Sequence, residues 1–180
     1  MQQRKLVLYI ATSLDGYIAG EEHQMDWLFS VEGDGDNGFS KFASTVDTVL
    51  LGRTTYDWIL EHEKTVDKIY SDKECFVFTR TKRPANEHIK FIHTDAVDFV
   101  KELKQKSGKN IWIVGGGDLL FTFINEQMVD ELIITIAPLL LGKGIRLFKN
   151  SNFQTHLSLI YTNRYNQFAE LHYKVTNNHA

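Results

Sequence analysis

The sequence predicts a three-layer α-β-α fold around a mixed sheet of about eight strands. Segments rich in β-branched and aromatic residues alternate with helical segments, a pattern typical of parallel strands flanked by helices. Two extended segments near the end have no helix between them and are split by the polar stretch TNRYNQ, which predicts an antiparallel C-terminal hairpin at one sheet edge. The 180 residues, 43% of them apolar, suffice for one sizeable core, so we expect a single domain over 1–180.

The individual elements follow from composition and period. Eight strands are predicted from β-branched and aromatic enrichment and from alternation in ELIITIA and AELHYKV, at about 4–11, 46–51, 75–79, 89–93, 110–114, 130–137, 156–163 and 168–175. Four helices are predicted at about 37–45, 53–61, 95–106 and 117–126. In the third helix Val97, Val100 and Leu103 share one face. Asp95 is its predicted N-cap and Gly108 its predicted stop.

Composition and charge limit the classes of function. The net charge of −3 argues against general nucleic-acid binding and membrane-surface binding. No apolar run approaches the length of a membrane span, and the basic start lacks the features of a signal peptide. The single cysteine, Cys75, excludes an intrachain disulfide and suits a reducing compartment. We therefore expect a cytoplasmic protein with a small-molecule partner, and the scattered histidines predict no metal site.

Ligands of open α/β sheets bind beyond the carboxyl ends of the parallel strands, and the first such junction is Gly52-Arg53-Thr54-Thr55. A helix start offers free N–H groups and a partial positive charge, which suit a phosphate. Arg53 adds a fork of donors, and the two threonines add hydroxyls. The alternative is that Thr54 only caps the helix while Arg53 is solvated.

The second junction is the stretch TRTKRP, residues 79–84. It carries three cations and two hydroxyls, the groups that the adenosine 2′-phosphate of NADP would need and NAD would not. The alternative is a solvated turn.

The third junction places Gly115-Gly116-Gly117 between a strand and a helix. Three consecutive glycines lose much conformational freedom on folding, so their presence indicates close approach of another group to the main chain. The stretch is not the G-x-G-x-x-G fingerprint, because Leu120 stands where its last glycine belongs, and no Gly-Lys-Ser/Thr of a P-loop follows. A tight turn is the alternative for this junction alone, but the three junctions together indicate a phosphorylated dinucleotide.

These junctions, with ATSLDGYIAG near the start, resemble the dihydrofolate reductase superfamily, and within it the reductase domain of the bifunctional riboflavin-biosynthesis deaminase-reductase. The similar stretches lie in family order: SLDGYIAG (13–20), MDWL (25–28), VLLGRTTYDW (49–58), VFTR (77–80), IWIVGGGDLL (111–120) and VDELIITIAPLLLGKGIRLF (129–148). The resemblance implies an NADPH-dependent reductase that forms a homodimer through its terminal strands.

The resemblance also implies the residues that contact the cofactor. Those against the nicotinamide would be Ala11, Ile18 and Ala19. Those that hold phosphates would be Gly52, Arg53, Thr54 and Thr55. Those beside the adenosine 2′-phosphate would be Phe78, Thr79 and Arg80. Those around the pyrophosphate would be Val114, Gly115, Gly116, Gly117, Asp118 and Leu119.

The substrate side is less specific. By resemblance, Asp36 occupies the position of the acid that contacts the pterin in folate enzymes, and Thr135 that of a threonine near it. Asp15 is a second candidate acid, with fixing the turn after the first strand as its alternative role. A solvated loop is the alternative for Asp36, and Trp27 lines the pocket or staples a loop.

The preferred interpretation is an NADPH-dependent reductase of a small heterocycle. Its substrate is either like that of the riboflavin-pathway 5-amino-6-(5-phosphoribosylamino)uracil reductase or like that of dihydrofolate reductase. The alternative is a non-catalytic NADP(H)-binding or sensor protein, which the missing unambiguous acid favours.

Overall fold

The computed structural model describes residues 3–62, 70, 72–83, 88–151 and 154–176. The strands among them are β1 (Leu6–Ser13), β2 (Tyr17–Ala19), β3 (Val46–Gly52), β4 (Glu74–Phe78), β5 (Ile89–Ile92), β6 (Asn110–Gly115), β7 (Glu131–Ala137), β8 (Ile145–Arg146), β9 (His156–Tyr165) and β10 (Phe168–Thr176). The α-helices among them are α1 (Asp26–Phe29), α2 (Phe39–Ala43), α3 (Arg53–His62), α4 (Ala96–Gln105) and α5 (Gly117–Asn125).

Eight of these strands form one mixed sheet in the order β5-β4-β3-β6-β1-β7-β10-β9. The strands from β5 to β7 are parallel, whereas β10 runs antiparallel to both β7 and β9. The predicted mixed sheet and its antiparallel C-terminal hairpin are therefore confirmed. The two remaining strands, β2 and β8, form a separate small ribbon.

Helices cover both faces of the sheet, which confirms the three layers. On one face the core includes Val100 and Leu103 of α4 and Phe123 of α5. On the other it includes Phe42 of α2 and Ile59 of α3. The central strands β3 and β6 are buried along most of their length, as expected for parallel strands packed on both faces.

The predicted elements are present with ends shifted by a few residues, and four short described elements were not predicted. Asp95 caps α4 as predicted, because its carboxylate accepts hydrogen bonds from the N–H groups of Val97 at 2.8 Å and Asp98 at 3.1 Å. The elements missed are β2, β8, α1 and a 3₁₀ helix at Glu21–His23, which span two to four residues each. Segments of that length are too short to show a period in the sequence.

Aromatic packing fixes α2 over the centre of the sheet. The ring of Tyr9 on β1 stacks on Phe42 of α2, with ring centroids 4.1 Å apart. The indole N–H of Trp112 on β6 donates to the carbonyl of Tyr9 at 3.1 Å. The segment before α2, which contains Asp36, is thereby held beside the carboxyl half of β1.

Among the described helices, none has both the length and the apolar character needed to cross a bilayer.

Candidate cofactor and substrate site

The first and third junctions touch through their main chains. Leu51 of β3 pairs with Gly115 of β6, so the two strands end together. A Cβ placed on Gly116 would lie 3.1 Å from the Cα and 3.2 Å from the N of Gly52, which is tighter than most real Cβ contacts. Gly116 also has a φ of 108°, a backbone conformation that residues with a Cβ rarely adopt. The group close to the Cβ position of Gly116 is therefore the protein's own backbone, and the contact of Gly116 with the cofactor stays a prediction.

The other two glycines of the loop have different neighbours. A Cβ on Gly115 would lie 3.1 Å from Cγ2 and 3.2 Å from the hydroxyl of Thr55, so the absent side chain makes room for α3. At Gly117 the nearest atom is Cε of Lys149, at 3.8 Å. Space for a ligand therefore exists at Gly117, the first residue of α5.

The second junction lies directly beside the first. Phe78 at the end of β4 pairs with Gly52 at the end of β3, and Thr79 and Arg80 follow. Thr79 is buried, and its hydroxyl accepts a hydrogen bond from the N–H of Thr81 at 3.2 Å. Arg80 is exposed and forms no ion pair with any described residue. The three junctions that the sequence singled out thus share one edge of three neighbouring strands.

Two helices begin at this edge. β3 ends at Gly52 and α3 begins at Arg53 with no loop between them, while α5 begins at Gly117. No side chain caps the start of α5. The first N–H groups of a helix have no acceptor within it, and they carry the positive end of the helix dipole. The edge therefore presents two sets of donors suited to an anion.

Cations surround these helix starts. Arg53 and Arg83 both bind the carboxylate of Asp57 on α3, at 3.0 and 2.7 Å. Lys149 pairs with Asp118 in the first turn of α5. Sequence reasoning missed Lys149 as a site residue, because it lies about thirty positions from the glycines and in no recognisable motif.

The residues expected against the nicotinamide lie on two neighbouring strands. Ala11 is near the carboxyl end of β1, and Ile18 and Ala19 form most of β2, which follows β1 after a tight turn. Ala19 is buried, and its carbonyl lies so close to Gly144 that a Cβ there would be 2.2 Å away. Val114 and Leu119 lie in β6 and α5 on either side of the glycines.

Asp15 joins two loops through its carboxylate. It accepts hydrogen bonds from the hydroxyl of Ser13 at 2.6 Å and from the N–H groups of Leu141 at 3.0 Å and Gly142 at 2.7 Å. The Ser13 hydroxyl, followed by these two N–H groups, lowers the pKa of Asp15 to about 2. The carboxylate thus binds a loop far away in the sequence as well as its own turn, and its predicted catalytic role stays a prediction.

Asp36 binds the start of α2. Its carboxylate accepts hydrogen bonds from the N–H groups of Gly38 at 3.1 Å and Ser40 at 2.8 Å. Hydrogen bonds from Ser40 are the main cause that lowers the pKa of Asp36. The carboxylate is therefore ionised at neutral pH and suited to accept hydrogen bonds rather than to donate a proton. Its catalytic role also stays a prediction.

The two predicted substrate residues lie in different surroundings. Thr135 is buried on β7, where it pairs with Ala11 on one side and Glu170 of β10 on the other. Trp27 is half-buried on α1, and its buried indole N–H donates to no described residue.

Glu170 was missed by sequence reasoning and is 3% exposed. In AELHYKV the alternation places it on the polar side of the strand, which predicts contact with solvent. That side is instead covered near Glu170 by Tyr165, which also packs on Gly38.

A cavity of about 190 Å³ lies elsewhere, between α5 and the C-terminal strands. Its apolar lining includes Leu120, Ile124, Leu132 and Val175. None of the predicted cofactor or substrate residues lines it, and it is smaller than most ligand pockets. Lys149 does line it, so the cavity borders the candidate site beside the start of α5. Within the described ranges, no group of three or more His, Cys, Asp or Glu side chains is arranged to hold a metal ion.

Comparison with known families identifies the family of the chain. The family model for the RibD C-terminal domain matches residues 4–169. The chain belongs to the RibD C-terminal domain family. It is 48% identical over 174 residues to the Bacillus subtilis (strain 168) protein named Uncharacterized protein YwjB, covering 95% of this chain and 98% of that protein.

Two solved structures are similar to the chain. A putative riboflavin biosynthesis protein from Shewanella sp. PV-4 is 30% identical, with a TM-score of 0.85 over 96% of this chain and 99% of that one. A Thermotoga maritima protein is named diaminohydroxyphosphoribosylaminopyrimidine deaminase/5-amino-6-(5-phosphoribosylamino)uracil reductase. It is 13% identical, with a TM-score of 0.70 over 97% of this chain and 57% of that one. At that identity the likeness shows the fold alone.

Gly116 and Gly117 have different neighbours, so alanine should destabilise the protein much more at the first position than at the second. Gly116→Ala should lower the free energy of unfolding by about 1–3 kcal/mol, because it imposes a strained φ and a contact with Gly52. Gly117→Ala should change it by less than about 1 kcal/mol, since its Cβ meets only open space and Lys149. Urea denaturation of both variants measures this difference. Equal stability of the two variants would contradict the packing described for Gly52 and Gly116.

Proposed function

We propose that the protein is an NADPH-dependent reductase of a small heterocycle. The observation that carries this proposal is the direct contact of Gly52 with Gly116, which sets the starts of α3 and α5 side by side. Two helix starts at the carboxyl edge of a parallel sheet suit the phosphates of a dinucleotide. Membership of the RibD C-terminal domain family, together with a fold shared with a named reductase, supports the same class of chemistry.

The residues present at the edge fit the cofactor. The main-chain N–H groups at the starts of both helices would hold the pyrophosphate, with Thr54 and Thr55 beside them. Arg53 and Arg83 would exchange part of their contact with Asp57 for phosphate oxygens. Arg80 has no described ion-pair partner, so it is available for the adenosine 2′-phosphate that distinguishes NADPH from NADH.

When bound, NADPH supplies a hydride, and the chain supplies orientation and charge. Ala11, Ile18 and Ala19 would hold the nicotinamide at the carboxyl end of β1. Asp15 fixes the loop that follows β1 against residues 141–142, so it acts as a positioning residue for that wall.

The heterocycle would bind between the nicotinamide wall and α2. Thr135 would face it from β7, Asp36 from the segment before α2 and Trp27 from α1. We propose a substrate like the riboflavin-pathway pyrimidine or like a dihydropterin, and a cytoplasmic homodimer joined through the terminal strands. Both faces of β9 are exposed, with Leu159 54% and Ile160 49% exposed, which supports an interface there.

A second candidate function is a non-catalytic NADP(H)-binding or sensor protein. The observation that favours it is that the carboxylates of Asp15 and Asp36 both accept hydrogen bonds from their surroundings. Stopped-flow mixing of the NADPH-loaded protein with dihydropterins and amino-pyrimidines separates the two functions. Loss of NADPH absorbance with an acceptor establishes the reductase, whereas tight NADPH binding with no oxidation by any acceptor supports the sensor.

Cofactor preference tests the proposal directly. Arg80→Ala should weaken NADPH binding about tenfold or more, because it removes a charge-assisted hydrogen bond of about 1.5 kcal/mol. Binding of NADH, which lacks the 2′-phosphate, should change little. Fluorescence titration with each nucleotide measures both constants.

The control for this titration is Arg164→Ala on β9, at the opposite edge of the sheet, which should leave both constants unchanged. If Arg80→Ala weakened the two nucleotides equally, its assignment to the 2′-phosphate would be wrong. If the unaltered protein bound neither nucleotide, the proposed function itself would fail.

A further inference from the structure

Glu170 is aligned across three strands with Thr135, predicted for the substrate, and Ala11, predicted for the nicotinamide. It pairs with Thr135 of β7, and Thr135 pairs with Ala11 of β1. Residues in register on neighbouring strands point to the same face of a sheet. All three lie near the carboxyl ends of the parallel strands, where ligands of such sheets bind. The side chain of Glu170 is therefore on the same face as the proposed substrate position.

The carboxylate of Glu170 is buried without enough donors. Only 3% of the residue is exposed. Its Oε1 accepts from Nδ2 of Asn163 and from the hydroxyl of Tyr165, both at 3.5 Å, which is long for such bonds. No described residue donates to Oε2, and no described cation pairs with the carboxylate. Buried carboxylates ordinarily have close donors or a counter-charge, so this one can accept further hydrogen bonds from a ligand.

The surrounding phenols fill this need only through the long bond from Tyr165. For each of Tyr9, Tyr161 and Tyr165, burial first and then the charge of Glu170 raise the pKa. These phenols are therefore protonated, yet that of Tyr9 donates to the carbonyl of Asn37 at 3.4 Å rather than to Glu170.

Asp36, the acid implied by family resemblance, differs from Glu170 in both respects. Its side chain is exposed, and two N–H groups already bind its carboxylate. A ligand would gain little from an acid that is solvated and occupied. The buried, under-coordinated carboxylate is the stronger recognition group.

We propose that Glu170 is the substrate-binding acid of this chain. Its carboxylate accepts hydrogen bonds from N–H groups on the edge of a heterocycle, so the site selects rings that present a ring N–H or amino group there. Rings of the same shape that offer only acceptors at that edge are excluded. The inference rests on the proposed function, since it takes Ala11 to lie beside the nicotinamide.

The test uses two pyrimidines of similar shape. Calorimetric titrations with 2,4-diaminopyrimidine, which presents N–H donors, and 2,4-dimethoxypyrimidine, which has none, are run with and without saturating NADPH. The unaltered protein should bind the diamine and not the dimethoxy compound. Glu170→Gln should weaken the diamine about tenfold or more, because it removes the charge from the hydrogen bonds. The affinity for NADPH should stay the same.

A matched control is Glu74→Gln, which removes an exposed carboxylate on β4 that pairs with Lys90 at 2.8 Å. It should leave diamine binding unchanged. Glu170→Asp keeps the charge but retracts it by one methylene, so an intermediate loss of diamine affinity is expected. If Glu170→Gln does not fold, this variant tests the inference in its place.

The inference is overturned if the Glu170 variants bind the diamine as well as the unaltered protein does. It is also overturned if the unaltered protein binds both pyrimidines equally or binds neither. Failure of the proposed function has a different signature, because NADPH itself then does not bind, whatever the pyrimidines do.

Discussion

Main-chain contact between Gly52 and Gly116 determines where two helices start. Because no side chain separates these residues, the carboxyl ends of β3 and β6 close together, and α3 and α5 begin at nearly the same point. β4 ends beside them, since Phe78 pairs with Gly52. The cation-rich turn that follows β4 is thereby brought to the same edge. A bulkier residue at either glycine would separate the helix starts and disperse the donors that the phosphates need.

The architecture could be predicted because its long elements carry their own signals. β-branched runs marked the parallel strands, and Asp95 marked the start of α4. The ribbon of β2 and β8 could not be predicted, since it exists only because distant loops meet. Residue spacing indicated that the glycines of 115–117 lie close to another group. It could not indicate that this group is the chain itself at Gly116, because that depends on the pairing of β3 with β6.

The acids near the candidate site are of two kinds. Asp15, Asp36 and Asp57 hold other parts of the chain in place, whereas Glu170 accepts few hydrogen bonds. Asp15 and Asp36 could be identified as candidates from the sequence because they lie in motifs. In the structure the carboxylates of both accept hydrogen bonds from loop N–H groups. Asp57 holds Arg53 and Arg83 in place at the edge. Glu170 was not visible, because its place in an alternating strand predicts exposure and only tertiary packing buries it. Burial combined with missing donors, rather than sequence position, distinguishes a binding carboxylate.

We propose that main-chain N–H groups at this edge hold the phosphates of a dinucleotide. The sharpest test is to follow the amide chemical shifts of the ¹⁵N-labelled protein during titration with NADPH. The largest shifts are expected at residues 53–55 and 117–119, and they should saturate together. Shifts confined to the cavity between α5 and the C-terminal strands, or no shifts at all, would contradict it.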